Sequence, residues 1–88
     1  MEELPGRELV EAGIAALEHG VESAEALLVS IGAARLARLG VAIPGAFDSP
    51  EKRLYERLHA EDPNAAHSRY NALVRKLVSF ERAAECAS

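Results

Sequence analysis

Apolar residues recur along this chain at spacings of three and four, the period of one face of an α-helix. Val10, Ile14, Leu17 and Val21 step by four, three and four, which predicts a first helix over 5–19. Pro5 suits the first helical turn, where its missing N–H is not needed. Glu8, Glu11, Glu18 and Glu22 form an acidic stripe on another face. Gly20 can adopt the left-handed backbone that ends a helix, with Val21 folding back on the last turn. Ser23 then reads as an N-cap, and Glu25 sits near the positive end of the next helix dipole. That second helix runs to 39 and is apolar almost all round, through Ala24, Leu27, Leu28, Val29, Ile31, Ala34, Leu36 and Leu39. Such a helix belongs at the centre of a bundle. Gly32 inside it costs roughly 1 kcal/mol relative to alanine, so a compensating close helix contact is expected there. Gly40-Val41 repeats the Gly20-Val21 ending.

Residues 41–48 form an apolar loop with a turn at Pro44-Gly45. Ile43 and Phe47 are too apolar to stand in water, so they either plug the open end of the bundle or belong to an interface. Ser49-Pro50-Glu51 places a cap, a first-turn proline and an acid in the order that starts a helix. This third helix, over 49–60, turns Leu54, Tyr55 and Leu58 inward. Asp62-Pro63 repeats the start signal and opens the longest helix, over 63–85. There Ala66, Tyr70, Leu73, Leu77, Phe80 and Ala84 alternate steps of four and three, the seam of a helix packed lengthwise in a bundle. A second line through His67, Asn71, Val74 and Val78 widens the seam to one side. At 1.5 Å per residue this helix is about 34 Å long, more than the third helix can cover. The pattern therefore predicts one all-α domain over 1–88: a small bundle of about four helices, the second central and the fourth longest.

Composition modifies this picture in one respect. Of 88 residues, 49% are hydrophobic, but many are alanine and only Phe47, Tyr55, Tyr70 and Phe80 are aromatic. Alanine favours helix strongly yet contributes little burial, so helices must approach closely and a second subunit would add area that one chain lacks. Homo-oligomerisation is thus an expectation. The chain has few side-chain amides and more arginine than lysine, a bias that fits a heat-adapted prokaryote or a GC-rich genome. Its single cysteine, Cys86, has no partner, so the fold needs no oxidation. The acidic start lacks the basic-then-apolar pattern of a signal peptide, and no apolar run approaches the roughly 20 residues that span a bilayer. The expected location is the cytoplasm, with no membrane partner.

The net charge of −4 is unevenly spread. Residues 1–30 carry seven acids against Arg7, whereas residues 63–88 carry Arg69, Arg75, Lys76 and Arg82 against Glu81 and Glu85. Such asymmetry can pair the first and last helices or orient a partner. It also counts against nucleic acid as that partner, because an acidic chain lacks the basic footprint of phosphate binding. Ala37-Arg38-Leu39-Gly40-Val41 has the look of half a helix-turn-helix, with Lys52, Arg53, Tyr55 and Arg57 on the following helix. The intervening loop, however, is longer than the three or four residues that motif uses.

Candidate chemistry is sparse. Glu56 and His59 have the Glu-x-x-His spacing of carboxylate di-iron bundles, but that site needs the motif twice and further glutamates. No metal and no cofactor is implied. The serines sit at caps or exposed positions without a Gly-x-Ser-x-Gly turn, and no glycine-rich phosphate loop is present. His67, Tyr70 and Asn71 make a polar cluster that is either a small site at the bundle's edge or a His–Asn pair bonding to another helix. Arg53 and His59, spaced Arg-x5-His, resemble over seven residues the short motif of the HEPN family, helical domains that include RNA-cutting toxins. The resemblance implies roles for that arginine and histidine in phosphodiester cleavage; Leu54 stands where the family usually has a polar residue.

Two functional readings follow. The first is a non-enzymatic protein–protein interaction or self-association module, with Ile43, Phe47, His67, Arg69, Asn71, Val74, Arg75, Val78 and Arg82 as its interface candidates. The alternative is a small RNA-directed helical enzyme using Arg53 and His59, with DNA binding a minor third. A cleft that unites Arg53 and His59 would favour the enzyme.

Overall fold

Leu27, Leu28, Leu36, Leu54 and Leu58 are wholly withdrawn from solvent, and the helices that carry them define the architecture. The computed structural model describes residues 4–87. It contains α1 (Arg7–Glu18), α2 (Ala24–Ile31), α3 (Ala33–Arg38), α4 (Pro50–Glu61) and α5 (Ala66–Ala87). All five contribute to one buried cluster, from Val10 and Leu17 on α1 to Leu77 and Phe80 on α5. The chain is all-α, and α2 touches each of the other four helices, as its all-round apolarity predicts. Five consecutive α2 residues, Ala26 to Ser30, are buried.

The helix endings follow the sequence closely. Gly20, at φ 67°, donates its N–H to the Leu17 carbonyl while Val21 reaches back to Ala16 at 2.8 Å. Gly40, at φ 90°, and Val41 make the same pair of bonds to Ala37 and Leu36. Both are Schellman endings, in which a residue without a Cβ takes the left-handed turn and the last carbonyls are satisfied. Ser23 caps α2 by accepting the Ala26 N–H at 3.1 Å.

Several boundaries differ from expectation, each for a local reason. The predicted second helix breaks at Gly32 into α2 and α3. A Cβ on Gly32 would lie 2.7 Å from Glu81 Oε2 and 3.1 Å from a Leu77 methyl, so the close contact sought there is the crossing with α5. Past the break, burial is confined to Leu36. Ser49 does not cap α4 with its side chain. Its backbone is left-handed (φ 48°) rather than extended like that of Ser23, which removes the geometry a capping hydroxyl needs. Asp62 accepts the Asn64 N–H at 3.1 Å, so the residues after it form a turn and α5 begins at Ala66 rather than 63. Tyr55, expected inward, is 38% exposed.

The apolar loop packs on the core through half-buried Val41, Ile43 and Phe47. Ser30 anchors it: the buried hydroxyl donates to the Ala26 carbonyl at 2.7 Å and accepts the Phe47 N–H at 3.1 Å. Ser30→Ala leaves that N–H without its acceptor, an expected loss of about 1–3 kcal/mol. Urea unfolding checks the loss, and limited proteolysis should cut faster within 41–48. An unchanged urea midpoint would refute the anchor.

Candidate interaction surface

Helix α5 sorts its residues by angle. Ala66, Leu77 and Phe80 are buried, with Tyr70, Leu73 and Ala84 half-buried beside them on the core. This is the predicted seam, and its two-in-seven spacing aligns these positions on one face. Next to it runs the line of His67, Asn71, Val74 and Val78. Val74 packs on the core. Val78, one turn on, is half-buried but outside the core cluster. His67 is exposed, and its Nε2 lies 3.2 Å from Asn71 Nδ2. The polar pair thus closes along α5 itself instead of bridging to another helix.

Ion pairs sort the charged residues in turn. Arg69 reaches Glu61 at the end of α4 at 3.1 Å, Arg53 on α4 reaches Glu22 at 3.0 Å, and Arg7 reaches Glu11 at 3.0 Å. Arg35 on α3 lies 3.0 Å from Glu85 and 3.9 Å from Glu81. Among the described residues Arg75, Lys76 and Arg82 enter no ion pair, and all three are exposed on α5. Of the interface candidates, the structure therefore leaves Arg75, Val78 and Arg82 presented together, at spacings of three and four. Ile43, Phe47 and Val74 are drawn to the core, and Arg69 to α4.

Arg53 and His59 turn to different neighbours. Arg53 holds Glu22 and lies 5.9 Å from the centre of the Phe47 ring, tying α4 to the loops on either side of α2 and α3. His59 stacks on Tyr55 with ring centres 6.4 Å apart, and Tyr55 meets Tyr70 of α5 edge-on at 5.9 Å. Six residues along a helix leave two side chains about 120° apart around its axis, which puts Arg53 and His59 on different flanks of α4. An open depression of about 510 Å³ beside Arg53 is lined by Glu22, Glu56, Arg57, Ala60 and Glu61, without His59. Among the described residues no three histidine, cysteine or acidic side chains group closely enough to hold a metal ion, so Glu56 and His59 gain no further ligand. No described helix is long and apolar enough to cross a membrane. Burial, with the Glu51 carboxylate adding to it, holds the Tyr70 phenol protonated above its ordinary range.

Glu81, which the charge pattern gives only as one acid among the bases of α5, is 4% exposed and lies against Gly32. Its position carries a signal, since it lies four after Leu77, and seven after Val74 and three after Val78 on the line beside the seam. Burial pushes its carboxyl above the usual range, and the nearby Arg35 guanidinium offsets this only in part. A carboxyl that binds its proton more tightly folded than unfolded stabilises the fold at acid pH and loses that contribution as pH rises through the raised value. Glu81→Gln should therefore melt a few degrees above the parent at pH 7, with the gap closing as the pH falls through the carboxylate range. Melting curves at several pH values check this; a variant that melts lower at pH 7 would refute it. No protein-family model, curated protein or solved structure matches the chain, so its role is read from its own residues.

Proposed function

We propose that this chain is a protein-interaction module of the prokaryotic cytoplasm without catalytic chemistry, engaging its partner through the outer face of α5. The observation that carries the reading is the set Arg75, Val78 and Arg82: two exposed cations that enter no ion pair among the described residues, flanking a half-buried valine outside the core. Arginine around an apolar residue is a composition favoured at protein interfaces. The separate partners of Arg53 and His59 favour a module over an enzyme. A photo-crosslinking amino acid at position 78, in the producing cell, tests the reading. An adduct that disappears on combining Arg75→Glu with Arg82→Glu supports it; absence of any adduct refutes it.

A further inference from the structure

Among the described residues, the exposed charges that enter no ion pair on α1 and on α5 are of opposite sign. On α1 they are acidic, Glu8 and Glu18, joined by Glu11, whose ion-pair partner among the described residues is Arg7 one turn away. On α5 they are basic: Arg75, Lys76 and Arg82. An exposed i, i+4 pair such as Arg7–Glu11 is weak, so Glu11 remains open to a second cation. Glu11 and Glu18 are seven residues apart, as are Arg75 and Arg82. Each pair therefore stands two helical turns apart on one face, about 10.5 Å along the axis. Between the acids lies exposed Ala15, and between the arginines half-buried Val78. Both faces are narrow enough at their centres for two helices to approach.

We infer that the outer face of α5 binds the α1 face of a second copy of this chain, with Glu11 and Glu18 opposite Arg75 and Arg82 and Ala15 against Val78. The equal spacing satisfies both pairs whether the helices run parallel or antiparallel. Like-on-like contacts are disfavoured by charge: α5 on α5 sets arginine against arginine, and α1 on α1 sets glutamate against glutamate. Each copy offers one acidic and one basic face, so the contact closes as a two-fold dimer where α1 and α5 each meet the other helix of the partner, and extends into rings or open chains where only one such contact forms per pair. This inference rests on the reading of α5 as a contact surface and gives that surface its occupant.

Sedimentation velocity over a concentration series tests it. The wild-type chain should exceed its 9.4 kDa monomer mass increasingly with concentration at low salt, and return to monomer at about 1 M salt, where screening acts within roughly 3 Å. The double variant Arg75→Glu with Arg82→Glu should stay monomeric, as should Glu11→Arg with Glu18→Arg. An equimolar mixture of the two should associate again, because each supplies the face the other has lost. Circular dichroism checks that each is folded; if a reversal unfolds the chain, serine at the same positions replaces it and must also give monomers. A wild type that stays monomeric at low salt, a double variant that still associates, or a mixture that stays monomeric overturns the inference. If the wild type is monomeric while position 78 still crosslinks to another protein, the second copy is wrong and the interaction reading stands. If the position also gives no adduct, both fall.

Discussion

Replacing Gly13 by valine should lower the thermal midpoint by roughly 12–24 °C, corresponding to about 3 kcal/mol in a domain of this size. Gly13 is buried in the middle of α1 where that helix crosses α2. A Cβ there would overlap the Glu25 carbonyl oxygen and come within 2.8 Å of Val29 Cγ1. The obstacle is backbone, which cannot rotate aside, so the two helices must separate along their most extensive contact. Alanine provides the sharper comparison. By helix propensity alone Gly13→Ala should stabilise by about 1 kcal/mol, yet its one added atom is the one that collides. A midpoint at or above that of the parent would show that the crossing opens at negligible cost and that the contact does not hold α1. At Gly32 the obstacles are instead the ends of the Glu81 and Leu77 side chains, which can move, so alanine there should be much better tolerated.

Leu58→Ala should remove about 2–5 kcal/mol, against a total stability of about 4–13 kcal/mol for a chain of this length. Leu54 and Leu58 are the two buried side chains of α4, which otherwise displays charged and aromatic residues to solvent. Truncating one leaves a cavity under a helix whose other ties are exposed, the Arg53–Glu22 and Arg69–Glu61 ion pairs, each worth little in water. Chemical denaturation gives the stability loss directly. Hydrogen exchange should localise it, with the α4 amides losing protection before those of α2. A loss below about 1 kcal/mol would mean that the site collapses around the missing methyls and that α4 is not held by this pair. The result also bears on the aromatic contact with α5, since Tyr55 meets Tyr70 only while α4 keeps its place.

Much of this architecture was legible along the chain because the determinants are local. Gly20-Val21 and Gly40-Val41 end helices wherever they occur, since a left-handed residue and one backbone reversal suffice. The seam from Ala66 to Ala84 and the central place of α2 follow from helical periodicity and apolar content. What the sequence by itself determined about this protein is thus its helices, most of their ends and the faces they bury. Only the tertiary structure decided which side chains those faces meet. It broke the second helix at Gly32, where α5 comes close enough to fill the space a Cβ would take. It left Ser49 unable to cap, because the chain enters α4 from a left-handed turn. It gave Arg53 to Glu22 and Arg69 to Glu61 while leaving Arg75 and Arg82 exposed, with no ion-pair partner among the described residues. Pairing of that kind depends on distances between residues far apart in sequence, and no periodicity along one helix encodes what stands across from it.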